Sequence, residues 1–202
     1  MALALTSTAA PALPPIPEHS GWSGYVNLGA GAVSSKSNMV NGIATFDLGK
    51  ERIARLDQSP DSEELLLPLV YFEFAYTLAD MRTQFYVGNQ TADYLSFELE
   101  TTLETQAGLR QEIAGVGTFD IALVASPLAT KVWKDPYAVD VPRGDTERTT
   151  NGIYLAWDGI FDAPLEVQYR AKEIEVDDEE SGQSLDLSPQ QRRLLKRTGN
   201  VY

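Results

Sequence analysis

Alternation of apolar and polar residues between positions 95 and 104 constrains the fold more than any other feature of this sequence. In the stretch LSFELETTLE, odd positions are apolar or threonine, and even positions are acidic or hydroxyl-bearing. Successive side chains of a β-strand point to opposite faces. One face is therefore apolar, and Glu98, Glu100 and Glu104 lie on the other. The pattern recurs along most of the chain and predicts one large β-sheet with an apolar surface and a wet surface.

Composition narrows the class of protein. A chain of 202 residues fits one domain. A net charge of −13 argues against a nucleic-acid partner, because phosphates need a basic surface. The chain has no cysteine, so disulfides and thiolate metal sites are excluded. No run of about 18 apolar residues exists, which argues against a transmembrane helix, whereas a transmembrane strand needs only about ten alternating residues.

The N-terminus has the character of a secretory leader. A short apolar start is followed by Ala10-Pro11-Ala12, a small-x-small cleavage site, and then by a proline-rich stretch at 13–18. We therefore interpret residues 1–20 as a residual signal peptide and proline-rich leader, and residues 21–202 as a partial β-barrel domain.

Seven strands are predicted, at 22–33, 65–77, 82–88, 95–112, 117–126, 148–159 and 165–175. A short helix is predicted at 189–197, with Ser188 as its N-cap and Pro189 as its first residue. The loop 34–64 contains a weak apolar patch at 43–48 that suggests a short hairpin, and 127–147 is predicted as a second long loop.

The connections between the predicted strands differ in length between the two ends of the sheet. They are long at 34–64, at 127–147 and after 175, and short at the opposite ends of the strands; the turn at 89–93 is the exception. Long outer loops with short periplasmic turns are typical of outer-membrane barrels. The sequence thus predicts an all-β, antiparallel up-and-down barrel of this type. Since such barrels have an even strand number, we expect an eighth strand to begin at Val201 and Tyr202, and a sequence truncated at its C-terminus.

Four motifs occur together in this order: RTQFYVGN at 82–89, VWKDPY at 132–137, GIYLAWDGI at 152–160 and EIEVDDEESG at 173–182. With them the chain resembles, nearly throughout from Gly21 onward, a proteobacterial family of unknown function, the one numbered 2860. The resemblance implies a secreted protein with an outer-membrane β-barrel and supplies no catalytic residues. Family members look longer than this chain.

Candidate lumen-lining residues share the wet strand face: Glu73, Gln84, Glu98, Glu100, Asp120, Asp158, Gln168, Arg170 and Lys172. Glu104 and Glu166 belong to the same face. We expect Arg170 and Lys172 to pair with carboxylates across strands. A conducting lumen of this composition favours cations, whereas a narrow barrel fills with the same groups as a packed, salt-bridged interior.

Aromatic residues near predicted strand ends suit the interfacial girdles of a membrane barrel. They are Trp22, Tyr25, Tyr76, Tyr94, Trp157, Phe161 and Tyr169. In a soluble sandwich the same residues would form the core.

Two loop segments are candidates for ligand contact. Trp133, Asp135 and Tyr137 indicate an ordered loop that either constricts the mouth, binds a ligand or packs on the rim. On the predicted helix, Arg193, Lys196 and Arg197 share one face, with Leu194, Leu195 and Leu187 packed beneath. This cluster either contacts anionic lipid head groups or is an ordinary charged surface, which is the commoner case.

Signals for metal binding and catalysis are weak. Asp177, Asp178, Glu179 and Glu180 are adjacent, whereas regular calcium loops space their ligands at alternate positions, so a solvated acidic loop is favoured. The single histidine, His19, lies in the leader, which disfavours a Ser-His-Asp triad and a zinc site. Glu98 and Glu100 lie about 7 Å apart on one face, within the inverting-glycosidase range, but such pairs are common on wet strands. We expect no catalytic residues, no cofactor and no enzyme activity.

The leading hypothesis is a bacterial outer-membrane β-barrel in contact with lipid and lipopolysaccharide, either a porin-like passive channel with cation preference or a structural barrel. The alternatives are a membrane-barrel hydrolase and a soluble periplasmic β-sandwich or lipocalin-like binding protein, because alternation alone does not say which face points outward. The membrane hypothesis requires these side chains to be exposed on a belt about 25 Å tall: Phe72, Phe74, Leu95, Phe97, Leu99, Phe119, Ile121, Leu155 and Val167.

Overall fold

The computed structural model describes residues 13–39, 41–43, 46–89 and 104–202. Its strands are β1 (Gly21–Ser35), β2 (Gly42–Ile43), β3 (Phe46–Asp47), β4 (Glu63–Leu78), β5 (Thr83–Gly88), β6 (Thr105–Ile113), β7 (Gly117–Ala125), β8 (Thr130–Trp133), β9 (Asp145–Asp158), β10 (Glu166–Val176) and β11 (Gly199–Val201). One short helix, α1, spans Pro189–Arg193. The predicted all-β class is confirmed.

The main sheet is antiparallel and up-and-down. Its nine strands have the order β1-β4-β5-β6-β7-β9-β10-β11, with β8 paired to the first part of β9, and β2 and β3 form a separate two-stranded sheet. Strands that are adjacent along this path also follow one another in the sequence, once the short strands β2, β3 and β8 are set aside. Within the described residues the sheet is open between β1 and β11. The predicted up-and-down architecture is therefore confirmed, as is the small hairpin in the first long loop.

The strand register separates two chemically different faces. One outward row crosses seven strands and contains only apolar and aromatic residues: Trp22, Tyr76, Phe85, Leu109, Ile121, Leu155 and Tyr169. The adjacent inward row is mostly polar: Thr77, Gln84, Arg110, Asp120, Ala156 and Gln168. Because the side-chain period of a strand is two residues, a shift of one residue in any pairing would exchange these faces.

Contact between Lys172 and Glu104 shows that the sheet is strongly curled. The Lys172 ammonium donates to the Glu104 carboxylate over 2.7 Å, although β10 is separated from β6 by β7 and β9. On a flat sheet the two backbones would be about 14 Å apart, with their side chains projecting in parallel. The polar row therefore lies on a concave face, and the apolar row lies on the convex face.

Connections differ between the two ends of the sheet. At the short-turn end the strands are joined by residues 79–82, 114–116 and 159–165. At the opposite end, which we call the loop end, lie 36–62, 134–144 and 177–198. The interval between β5 and β6 also belongs to the loop end, and residues 90–103 fall outside the described part of the chain. The predicted strand segment 95–103, with Glu98 and Glu100, lies there.

The main differences from the predicted elements concern β8 and β9, the end of α1, and the start of β11. Residues 130–133 were expected in a loop, but they form β8 and pair with Asp145–Arg148, which extends β9 toward the loop end. The predicted helix 189–197 ends at Arg193, with Leu194 as its C-cap, although the Ser188 capping box and Pro189 at the first turn are present. The eighth main strand begins at Gly199, two residues before the predicted position.

Candidate functional site

Arg110 is the centre of the concave face. Its side chain is 1 % exposed, and its guanidinium donates to both carboxylate oxygens of Glu73, over 2.7 and 3.1 Å. A third bond runs to the amide oxygen of Gln84 over 3.0 Å. The remaining Nε–H faces Asp120 at 3.3 Å. Two carboxylates from different strands therefore hold one buried cation, and removal of Arg110 would leave both carboxylates without their cationic partner.

The Tyr86 ring lies beneath this ion-pair cluster. The Arg110 guanidinium carbon is 3.8 Å from the ring centroid, and the Tyr86 hydroxyl donates to Asp120 over 2.8 Å. Room for the ring comes from Gly108, where a Cβ atom would lie 2.9 Å from Tyr86 Cε1 and 2.7 Å from Ala122 Cβ. The aromatic ring beneath Arg110 and the hydrogen bonds around it hold the guanidinium and its carboxylate partners in place.

A second polar group lies toward the loop end of the concave face. Lys172 and Glu104 form a buried ion pair, and Gln106 on the same face of β6 is fully buried. Among the described residues, neither polar atom of the Gln106 side chain has a hydrogen-bond partner, and neither does Glu104 Oε2. Unsatisfied buried groups of this kind ordinarily contact water or a polar solute. The arrangement can therefore line and order polar species in the concavity.

The structure brings most of the predicted lumen-lining residues to one face. Glu73, Gln84 and Asp120 join the Arg110 cluster. The cross-strand pairing predicted for Lys172 is present. The Arg170 guanidinium carbon lies 5.2 Å from the centroid of the Tyr154 ring. Asp158 and Gln168 lie on the same face near the short-turn end, where Gln168 donates to Glu166 over 2.6 Å. Glu98 and Glu100 lie outside the described residues.

The convex face exposes a continuous apolar surface. Of the nine residues that the membrane hypothesis requires outside, Phe74, Ile121, Leu155 and Val167 are exposed. Phe72 and Phe119 are half-buried, and Leu95, Phe97 and Leu99 are outside the described residues. Leu123, on the same face as Ile121, is 68 % exposed. A soluble sandwich would bury side chains of this kind between two sheets.

Aromatic residues concentrate at the short-turn end. Trp22 is 82 % exposed, and its ring lies 5.0 Å from that of Tyr76. Trp157 stacks on Phe119 at 5.3 Å and meets Phe161 edge-on at 5.5 Å. Of the other predicted girdle residues, Tyr169 is exposed on the convex face. Tyr25 faces inward opposite Glu73, and Tyr94 is outside the described residues.

Asp135 organises the loop end. Its buried carboxylate accepts hydrogen bonds from the backbone N–H groups of Tyr137, Gly182 and Ser184, over 2.8–3.0 Å. Burial by itself would raise the pKa of Asp135, but the hydrogen bonds from Ser184, Gly182 and Tyr137 outweigh it and lower the pKa. The residue predicted as a ligand contact thus joins two loops by capping their backbones.

Glu179 and Arg197 form the second loop-end anchor. The Arg197 guanidinium donates to the Glu179 carboxylate over 2.9 Å and to the backbone oxygen of Trp133 over 2.6 Å. Burial opposes ionisation of Glu179, but hydrogen bonds from Arg197 and Ser181 hold its pKa below the ordinary value. Arg197 was predicted on a helix face with Arg193 and Lys196; this is wrong, because α1 ends at Arg193 and the chain turns so that Arg197 points into the loops.

Trp133 is buried among the loops. The Arg143 guanidinium carbon lies 4.3 Å from the centre of its ring, and the same guanidinium donates to the backbone oxygens of Asn38 and Lys50. Arg143 thereby ties the loop 36–62 to the loop 134–144. Tyr137 is half-buried beside them. This segment is therefore packed among the other loops at the loop end.

Cationic side chains remain exposed beside α1. Arg193 and Lys196 point to solvent, and the intervening Leu194 is 85 % exposed. A shallow depression of about 190 Å³ beside them is lined by residues that include Arg192, Arg193, Lys196, Glu179 and Glu180. Leu194 was expected to pack beneath the helix. It is instead exposed, because the helix ends one residue earlier, whereas Leu187 and Leu195 do pack around Gly182.

The acidic run 177–180 divides among different partners. Asp178 pairs with Lys134 over 2.7 Å, Glu179 pairs with Arg197, and Asp177 and Glu180 are exposed. Across the described residues, no group of three or more His, Cys, Asp or Glu side chains is arranged to hold a metal ion. Among the same residues, no helix has the length and apolar character needed to cross a membrane.

Sequence reasoning missed Arg110, Tyr86 and Arg143. Arg110 shares the even-numbered parity of Glu104, so the alternation places it on the wet face, but it was not named among the lumen-lining candidates. Tyr86 lies in the predicted strand 82–88 and was not named as a candidate residue. Arg143 lies between Pro142 and Gly144 in an aperiodic loop, so no periodic signal marked it.

Comparison with known proteins gives a family without a function. No curated protein and no solved structure matches this chain. A family model described as a protein of unknown function, DUF2860, matches residues 21–202. That match covers every strand of the main sheet, and the chain therefore belongs to the DUF2860 family of proteins of unknown function.

Proposed function

We propose that this protein is a bacterial outer-membrane β-barrel protein, with the convex face against lipid and the concave face lining the interior. The observation that carries the proposal is the outward row from Trp22 to Tyr169, which is apolar on all seven strands that it crosses. Contiguous exposed apolar surface marks a contact with lipid or protein. A polar, ion-paired face opposite an apolar band with aromatic residues at its end is the arrangement of transmembrane barrels.

Loop asymmetry supports the orientation. The short-turn end has brief connections, and the described long loops are all at the other end, as in barrels whose short turns face the periplasm. The exposed Trp22 and Phe161 at the short-turn end suit the inner interface of the bilayer. The loop end, fixed by Asp135, Glu179 and Arg143, then faces the outside of the cell.

Charge substitution on the convex face tests the membrane proposal. Leu123→Arg should lower the stability of the vesicle-inserted protein by about 2–4 kcal/mol, the cost of arginine near the middle of a bilayer. Leu128→Arg is the matched control, because Leu128 is also exposed but lies beyond the end of β7. Both substitutions would be nearly neutral on the surface of a water-soluble protein. Equal insertion yields and unfolding midpoints for the two variants would contradict the proposal.

The proposal extends to passive, porin-like passage of small cations without catalysis. The net charge of −13 leaves carboxylates in excess, and carboxylate-lined passages favour cations. Reversal potentials under a potassium chloride gradient in planar bilayers test this extension. A cation-selective current is expected, and inserted protein that carries no current at any voltage would leave a structural barrel.

Lipopolysaccharide is the proposed surface partner. Arg193 and Lys196 are exposed on either side of the exposed Leu194, which offers cations for phosphate together with one apolar contact. The double variant Arg193→Glu/Lys196→Glu should bind lipopolysaccharide micelles at least fivefold more weakly. The control pair Lys36→Glu/Arg52→Glu changes the charge equally at exposed positions of another loop. If both double variants lost the same affinity for lipopolysaccharide, the loss would be a non-specific charge effect, and the proposed contact would be contradicted.

A further inference from the structure

Residues 13–20, which we call the N-terminal strap, approach the concave face at the short-turn end. The backbone N–H of Ala79 donates to the Ser20 hydroxyl over 2.9 Å, and the Arg82 guanidinium donates to the Pro17 carbonyl over 3.2 Å. Arg82 is itself held by Glu112. The strap is therefore tied to the turn between β4 and β5. Gly21, with a φ of +145°, joins it to β1.

The strap places apolar side chains against an apolar patch of the concave face. Leu13 packs against a cluster of inward-facing residues: Ala75, Tyr86, Ala122, Val124, Tyr154 and Ala156. Ile16 is only 3 % exposed, whereas Glu18 and His19 are exposed. The cluster spans β4, β5, β7 and β9, so Leu13 lies against the concave face. It contacts the group that includes Tyr86, on which Arg110 is stacked.

Composition favours this placement. Pro14, Pro15 and Pro17 restrict the backbone before β1, so less conformational entropy is lost when the strap is held against the sheet. Cleavage after the small-x-small site Ala10-Pro11-Ala12 would leave Leu13 as the first residue of the mature chain. The strap would then remain after removal of the leader.

We propose that the N-terminal strap is an internal plug, which covers the Arg110 cluster from the short-turn end and restricts passage through the concavity. This inference rests on the proposed membrane-barrel function. It adds an element of the chain itself that determines whether the polar interior is open. Displacement of Leu13 and Ile16 exposes the inward cluster around Tyr86 and opens the interior.

Cysteine labelling tests the position of the strap independently of conductance. The chain has no cysteine, so Ile16→Cys and the control Glu18→Cys each introduce a single thiol into the full chain. In detergent micelles and in vesicles, a hydrophilic maleimide should modify Ile16→Cys at least tenfold more slowly than Glu18→Cys. Full denaturation should equalise the two rates. Equal rates in the folded protein would overturn the inference, whether or not the protein inserts into vesicles.

Conductance then tests the plug itself. Leu13→Asp/Ile16→Asp should increase the current per inserted molecule at least threefold over the wild type, and Glu18→Gln should leave it unchanged. Equal currents for the wild type and the double variant would overturn the plug. If the wild type fails to insert at all, the membrane proposal fails instead, and the labelling ratio still reports on the position of the strap.

Discussion

Arg110 and Tyr86, on adjacent strands, are stacked with the guanidinium carbon 3.8 Å from the ring centroid, and both side chains contact Asp120. This pair links the aromatic and ionic parts of the concave face into one buried unit. Glu73 completes it from β4, beyond the intervening β5. The unit thereby crosses four consecutive strands of the sheet, from β4 to β7.

Removing the Arg110 cation should destabilise the protein strongly. Arg110→Met should lower the free energy of unfolding by about 3–5 kcal/mol, because Glu73 and Asp120 then remain buried without their partner. Guanidinium titration in micelles, followed by far-ultraviolet circular dichroism, measures the effect. Adding Glu73→Gln and Asp120→Asn to the same variant should recover part of the loss. The control Arg55→Met removes an exposed pair with Asp57 and should cost less than about 1 kcal/mol.

Gly108 should not tolerate a side chain. In Gly108→Ala the new methyl group would lie 2.7 Å from Ala122 Cβ and 2.9 Å from Tyr86 Cε1, so the ring beneath Arg110 must shift. We expect a loss of about 1–3 kcal/mol, typical of overpacking, measured by the same titration. Gly29→Ala is the control, since its Cβ would meet only Leu69 Cβ at 3.7 Å. A loss no greater than that of Gly29→Ala would show that the Tyr86 ring is not confined there.

The ion pair of Glu104 and Lys172 should be energetically coupled. Glu104→Gln and Lys172→Met each leave a buried partner, and the double variant should cost less than the sum of the single losses by about 0.5–3 kcal/mol. A double-mutant cycle measures this coupling. A coupling of zero would mean that β10 does not approach the start of β6, and the strong curl of the sheet would then be wrong.

The sequence determined the faces of the sheet better than the elements at its ends. A period of two residues suffices to assign Phe74 outward and Glu73 inward, because backbone geometry imposes the alternation. The short strand β8 was not predicted, because Ser126, Pro127 and Leu128 interrupt the alternation of apolar and polar residues before it. The end of α1 at Arg193 was missed because Leu194 continues a helical apolar pattern. Beyond this residue the chain turns away from the helix, and Arg197 makes a tertiary contact with Glu179.

The Arg110 cluster shows why a site is harder to predict than a face. Parity places Glu73, Gln84, Arg110 and Asp120 on one side of the sheet, but their convergence depends on register and curl. Both the register and the curl of the sheet result from pairings between residues distant in sequence, such as Gln84 with Arg110 and Arg110 with Asp120. The role of Arg143 is still harder to predict from neighbouring residues, because its guanidinium contacts carbonyls of a loop some ninety residues earlier.

Acid should release the loop end before it unfolds the sheet. Asp135 and Glu179 have pKa values lowered from ordinary values of 3.8 and 4.5, because hydrogen bonds to the ionised carboxylates outweigh the effect of burial. A lowered folded-state pKa contributes stability that is complete above the ordinary value and is lost as the pH falls through the folded-state value. The docking of the loops should therefore be independent of pH above about 5 and weaken below about 4. Fluorescence of Trp133, measured in a Trp22→Phe/Trp157→Phe background, should show the change while circular dichroism of the strands persists. Asp135→Asn should weaken docking already at neutral pH, and a Trp133 signal that stays unchanged down to the pH of global unfolding would contradict the role of these two anchors.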